Sequence, residues 1–364
     1  MTTMKLIAAA LATVLCFGGC KKKETKGTEQ GSAGSGSQAA PDIPRASQGV
    51  LPQMAKLDVP PDPKRDAKIA LGHALFFDKR LSGANDRACY SCHMNEDGNG
   101  GHDPVAIGSG DKPLTRHSPV IWNVGYWKNA FYWDGRAPTL EDNVKGAWGG
   151  PNMNAGKDNL DKKAAEIAKI AGYKKLFTDA FGTADAKGDH VAQAVAEYMR
   201  TLVCNDTAYD KFAAGDKTAL TEQQQKGLDV FAGKGACITC HAPPYFSTSM
   251  GVDGGIYFNT GIGTQVTEDK VDVGRMKVTN DPKDWAAFKP PSLRNVSKSP
   301  PYFHDGSVAK LDDAVKLMST GGIKNKNLNQ ALADRQLTDA ERADLVAFLG
   351  ALDCAGKLDE PKLP

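Results

Sequence analysis

Two five-residue strings constrain this chain more than anything else in it: Cys89-Tyr90-Ser91-Cys92-His93 and Cys237-Ile238-Thr239-Cys240-His241. In each, two thiols three residues apart on one turn can both form thioethers to the vinyl groups of one flat ring. The adjacent histidine is then delivered beneath the metal at the ring's centre. A single such string can arise by chance or serve as half of a zinc site. Zinc sites, however, usually pair two CxxC motifs and need four free ligands at one point. Here each copy brings its own histidine and each follows a helical stretch. The strings therefore predict two covalently attached haems c, bound through Cys89, Cys92 and His93 and through Cys237, Cys240 and His241.

The rest of the composition fits a chain that is exported. Lys5, the apolar run Leu6 to Phe17 and the small pair Gly18-Gly19 read as a signal peptide over residues 1–20. Cys20 stands where a lipoprotein signal carries its lipidated cysteine, although Phe17 is an unusual residue three places ahead of it. The expected location is the periplasm, and a lipid anchor at Cys20 stays open. Residues 21–50 are rich in Lys, Thr, Glu, Gly, Ser and Gln and read as a flexible tether. A formal net charge of +2 gives no argument for nucleic acid or an anionic membrane. No later apolar run is long enough to span a bilayer. Of the eight cysteines, four lie in the CxxCH strings and two in the leader. Cys204 and Cys354 remain, as a disulfide or as two separate buried thiols.

Along the chain, Ile69, Leu71, Leu75 and Phe76 recur at helical spacing and predict a helix over residues 64–76, just ahead of the first CxxCH. Residues 94–118 are glycine-rich without a period and read as a long loop. Residues 160–182 and 189–204 read as amphipathic helices. Thr221 with Gln224 looks like a capping box, opening a helix that ends near Gly233–Gly235, again just ahead of CxxCH. Leu337-Thr338-Asp339-Ala340-Glu341 opens a last helix to about Leu352. No alternating run predicts a substantial sheet. The expected fold is mainly α, with two cytochrome c-like haem domains in tandem over residues 51–218 and 219–364.

Longer strings surround both sites. The first has Leu71-Gly72-His73-Ala74-Leu75-Phe76-Phe77-Asp78-Lys79-Arg80, then Arg116-His117-Ser118-Pro119 and Phe131-Tyr132-Trp133-Asp134-Gly135-Arg136. The second has Lys289-Pro290-Pro291-Ser292-Leu293-Arg294-Asn295 and Tyr302-Phe303-His304-Asp305-Gly306. Over roughly residues 60–350 this series resembles the bacterial dihaem cytochrome c peroxidase and MauG family. The resemblance implies a peroxide site at the N-terminal haem and a C-terminal haem reduced by a small donor protein, a c-type cytochrome or a cupredoxin. It also implies a homodimer as a candidate assembly. Trp133 matches the tryptophan that bridges the two haems. Met318, fourteen residues after His304, matches the thioether that ligates the second iron opposite His241. A soft thioether favours ferrous iron and raises the potential, as an electron-accepting haem requires. MauG-type enzymes carry a tyrosine there, so Met318 sides with the peroxidase branch.

Three departures from the family stand out, in the blocking ligand, the acid–base residues and the calcium ligands, all on the peroxide side. Ser109 replaces the histidine that blocks the first iron in many of these peroxidases, which predicts an open sixth position; His102 in the same loop is the one candidate replacement. Asn143 stands where a glutamine assists catalysis and can still hold peroxide by hydrogen bonding. Met153, or Asn152 with one gap, stands where the catalytic glutamate belongs, and neither can shuttle a proton. Asp103, Glu141 and Asp142 are the candidate substitutes. Finally, Ser299 and Pro301 match carbonyl ligands of an interdomain Ca²⁺, but His117 replaces the asparagine, and imidazole suits calcium poorly. The reading is a peroxidase that reduces hydrogen peroxide to water. A MauG-like oxidase acting on a partner protein and a non-enzymatic dihaem electron carrier are the alternatives.

Overall fold

The structure, a computed structural model, describes residues 45–364. The leader and Cys20 lie outside the described residues. Ten helices follow in order: α1 (Arg65–Phe77), α2 (Leu140–Gly149), α3 (Leu160–Ala168), α4 (Ala171–Phe181), α5 (Gly188–Arg200), α6 (Ala208–Ala213), α7 (Glu222–Ala232), α8 (Met276–Thr279), α9 (Leu311–Ser319) and α10 (Asp339–Gly350). The sheet among the described residues is a hairpin of two-residue strands, β1 (Ile107–Gly108) and β2 (Lys112–Pro113). The molecule is mainly helical, as expected. None of the described helices is long and apolar enough to cross a membrane.

Two large apolar clusters organise these elements. The first runs from Leu71 to Leu202 and takes in Cys354 and Leu358. The second runs from Tyr209 to Leu352, so α6 packs ahead of the residue 219 boundary read from the sequence. In the first, α1 crosses α5 closely; in the second, α7 crosses α10. Each crossing is made at a glycine. A Cβ on Gly72 would meet the carbonyl oxygen of Ala194 at 1.9 Å, and one on Gly227 would meet that of Asp344 at 2.0 Å. Thr221 and Thr338 cap α7 and α10 through the amides of Gln224 and Glu341, as their sequences foretold.

The stretch 160–182 is two helices rather than one, parted where Ile170 adopts an extended conformation. Residues 45–50, read as the end of a tether, are instead held in place. The Ser47 amide and hydroxyl donate to the two carboxylate oxygens of Asp229 on α7, at 2.8 and 3.0 Å. Cys204 and Cys354 form a disulfide across 150 residues, which settles the open pairing. Past it, the C-terminal segment returns to the first cluster, where Leu358 is buried and Asn95 donates to its carbonyl.

Candidate functional site

Each CxxCH string lies on a short 3-10 turn at residues 89–92 and 237–239, delivered by α1 and by α7. The four thiols are half-buried and unbonded to one another. Burial pushes the Cys237 and Cys240 thiols up to about 11 and the Cys89 thiol up to about 12. The histidines are held alike. His93 Nδ1 lies 3.3 Å from the carbonyl of Asn99; His241 Nδ1 lies 3.1 Å from that of Phe246 and 3.2 Å from that of Pro291. A ring N–H donated to a backbone carbonyl fixes the tautomer and leaves Nε2 with its lone pair free for a metal. Desolvation holds both imidazoles down, to about 4, so each is neutral at physiological pH.

Trp133 sits at the junction of the two modules. Its indole N–H donates to the His117 carbonyl at 2.8 Å, and its own carbonyl accepts from the Lys289 amide at 3.0 Å. Two residues beyond Lys289 is Pro291, whose carbonyl anchors His241. The His117 amide donates to the carbonyl of His304 at 2.7 Å, so one residue joins Trp133 to the second module. Asp134 is buried between the guanidiniums of Arg116 and Arg136, at 2.7 and 2.9 Å. The Lys289 Nζ is buried against the Ala130 carbonyl and the Trp127 ring, with no carboxylate among the described residues paired to it, and desolvation pulls its pKa well below the usual lysine value.

In the loop after the first CxxCH string, Ser109 is buried with its hydroxyl donating to Asp86 at 2.7 Å, while its amide donates to the Asn152 carbonyl at 2.9 Å. His102 is exposed and paired with Asp97, turned to solvent. Asn143 is half-buried on α2, its carbonyl accepting from the Tyr132 hydroxyl at 2.8 Å. Met153 is buried in the first cluster. Asn152, not Met153, lines a cleft of about 330 Å³ together with Tyr132, Arg136, Asp142 and Lys157. Of the three substitute acids, Asp142 alone borders that cleft, but its carboxylate is engaged by Thr139 at the start of α2. Glu141 pairs with Arg200, and Asp103 is exposed.

Met318 is half-buried on α9. Of the residues matched to the calcium site, Ser299 and His117 lie against neighbouring glycines: a Cβ on Gly100 would touch Ser299, and one on Gly101 would touch His117 at 3.0 Å. The donor set does not fit the ion. His117 brings a nitrogen already bonded to the Asp103 carbonyl at 2.9 Å, where calcium wants six to eight oxygens.

The sequence reading missed α2 and α9, the helices that carry Asn143 and Met318. A signal was present in each: a Trp/His-Asp-Gly turn, then a leucine-led acidic helix start. It also missed Asn123 and Asn295, whose side-chain oxygens accept the amides of Cys204 and Cys354 at 2.8 and 2.6 Å.

A helical chain that twice repeats helix, CxxCH and helix, with a tryptophan between the halves, falls in the class of two-module haem proteins. Comparison with known proteins places it within that class. Residues 66–218 match the family described as di-haem cytochrome c peroxidase. The chain is 33% identical over 306 residues to the methylamine utilization protein MauG of Methylorubrum extorquens, covering 83% of each. It is 32% identical over 312 residues to the cytochrome c551 peroxidase of Pseudomonas aeruginosa, again covering 83% of each. The crystal structure of a MauG-like protein associated with microbial copper homeostasis matches the fold with a TM-score of 0.74 at 29% identity, covering 88% of this chain and 97% of that one. The chain belongs to the dihaem cytochrome c peroxidase and MauG family. That family implies haem, and the residues fit it: four unpaired thiols and two neutral imidazoles with Nε2 free.

Proposed function

We propose that this protein is a periplasmic dihaem cytochrome c peroxidase, reducing hydrogen peroxide to water with electrons from a small donor protein, a c-type cytochrome or a cupredoxin. The observation that carries this reading is the placement of Trp133. It is bonded on one side to His117 and on the other to Lys289, two residues from the carbonyl that anchors His241. Haem, held by Cys89, Cys92 and His93 and by Cys237, Cys240 and His241, supplies the redox-active iron. Met318 would offer its thioether to the second haem, a ligand that would favour the reduced state and suit that site to receive the electron. The Trp133 indole relays electrons toward the His93 site. Asn143 holds peroxide by hydrogen bonding. Proton transfer is the weak step: Asn152 cannot shuttle a proton, and loss of general acid–base help costs about 10²–10⁴-fold in rate.

The test is steady-state turnover of the holoprotein with peroxide and a reduced small c-type cytochrome. Saturable oxidation of the donor is expected, and Trp133→Phe should slow it while leaving reduction of the second haem intact. Turnover no faster than free haem would sink the proposal. The missing catalytic carboxylate favours one second reading, a MauG-like oxidase acting on a partner protein; peroxide-dependent oxidation of a protein substrate without donor turnover would select it.

A further inference from the structure

The molecule repeats itself, and the repeat assigns a role to a residue that neither half would reveal alone. α1 and α7 each cross their partner helix at a glycine, Gly72 or Gly227, and each buries a phenylalanine four residues on, Phe76 or Phe231. After each CxxCH comes an asparagine in the left-handed region, Asn123 with φ of 62° and Asn295 with φ of 64°. The Asn123 amide donates to the carbonyl of Leu202 and the Asn295 amide to that of Leu352; each acceptor lies two residues before a cysteine of the disulfide. The disulfide thus joins equivalent positions of the two modules.

The correspondence continues into the next turn. Phe131 N donates to the Ala137 carbonyl at 3.1 Å, and Tyr302 N to the Val308 carbonyl at 2.7 Å. Tyr132 and Phe303, then Gly135 and Gly306, take left-handed conformations at matching places, with φ of 65°, 73°, 69° and 60°. Each turn leads, five residues after that glycine, into a helix: α2 at Leu140 and α9 at Leu311. α2 packs on α5 as α9 packs on α10. Along the two helices Val144 matches Val315 and Trp148 matches Ser319, all buried. One residue earlier, Ala147 matches Met318, and both are half-buried.

We infer that Ala147 determines the open coordination of the His93 site, because it holds on α2 the position from which Met318 ligates on α9. A methyl group offers no lone pair, so the helix that brings a ligand to the second iron brings none to the first. Asn143 lies one turn before Ala147 on the same face of α2. That face therefore pairs a hydrogen-bonding amide with an unobstructed approach, the arrangement a small oxygen substrate needs. Ser109, held by Asp86, supplies no ligand from the neighbouring loop. The inference rests on Met318 being the ligand proposed above.

The test uses the holoprotein and its ferric spectra. Ala147→Met should convert the first haem from high-spin to low-spin, add a second thioether-to-iron charge-transfer band and abolish cyanide binding at that haem. Ala147→Val, a smaller change, should weaken cyanide binding there roughly tenfold or more by crowding alone. Met318→Ala should remove the original band. If the original band survives Met318→Ala, the assignment of Met318 fails. If that band is lost as expected, yet Ala147→Met leaves the first haem high-spin with both haems attached, or Ala147→Val leaves cyanide affinity unchanged, the inference about Ala147 is overturned.

Discussion

Ser109 and Asp86 show how a short polar side chain is held in the loop after the first CxxCH string. Asp86 accepts the Gly110 amide at 2.6 Å and the hydroxyls of Ser109 and Ser82 at 2.7 and 3.0 Å, which hold its carboxyl down to about 2 from an ordinary 3.8. A depressed carboxylate contributes fully above its ordinary value, and the contribution drains away as pH falls toward the depressed one. Hydrogen exchange corrected for intrinsic rates should therefore show the β1–β2 hairpin loosening between about pH 4 and pH 2; Asp86→Asn should remove that pH dependence. The sequence singled out Ser109 as a residue poorly suited to ligate iron, but not its partner Asp86, because a loop contact between residues 86 and 109 leaves no periodic trace. The same holds for His117. The chemistry of its side chain spoke against calcium, and the structure adds the bond to the Asp103 carbonyl that occupies the imidazole. A chelator should leave the haem spectra of this protein unchanged, whereas in His117→Asn, which restores an oxygen ligand, added calcium should shift the unfolding midpoint. A chelator-induced spectral change in the unaltered protein would contradict this account.

At the scale of elements, α7 and α10 announced themselves through an apolar period behind a capping threonine, Thr221 or Thr338, whereas α1, α3 and α4 were legible from their apolar period alone, with no side-chain cap. α2 and α9 were overlooked because each is short and begins with acidic residues, and their positions are set by the turn before them rather than by their own pattern. The stretch 160–182 kept a helical period across Ile170, yet the chain turns there to pack α3 and α4 separately against α5. The crossings of α1 with α5 and α7 with α10 give a sharper test. Glycine within a helix costs about 1 kcal/mol relative to alanine, so propensity alone favours Gly72→Ala and Gly227→Ala. Sterics opposes it, because the added carbon would lie at 1.9 and 2.0 Å from backbone oxygens that no rotamer change can move. Overpacking of this kind typically costs about 1–3 kcal/mol and here falls at the severe end. Both variants should lower the unfolding midpoint. Gly350→Ala, with nothing within 4 Å of its added carbon, should leave the midpoint unchanged or raise it. Equal behaviour of the three would show that the crossings are not as close as described.

For the whole molecule, the governing fact is that two modules with separate apolar clusters are fastened at equivalent points. Cys204 lies four residues beyond α5 and Cys354 four beyond α10, each amide held by the asparagine of its own module. The sequence could count these cysteines but not choose between a bridge and two thiols, since the choice depends on a symmetry that the insertion of α3 and α4 into the first module disguises. With 150 residues between them, the cross-link restricts the unfolded chain by about 4–5 kcal/mol in the loop-entropy account. It also holds the start of the C-terminal segment, which lays Leu358 into the first cluster and brings the Pro364 carbonyl to Arg80 at 2.9 Å. Cys204→Ser combined with Cys354→Ser should therefore lower the calorimetric midpoint by roughly 6–8 °C, from that free energy and the size of the chain. Either single variant should match the double, because the four other cysteines among the described residues lie in the CxxCH strings and form no disulfide. Protection of the Leu358 amide, whose N–H donates to Asn95 at 2.9 Å, should fall in the same variants while that of α1 and α7 persists. A double variant that melts where the unaltered protein does would mean that packing alone joins the modules, with the disulfide contributing nothing to their attachment.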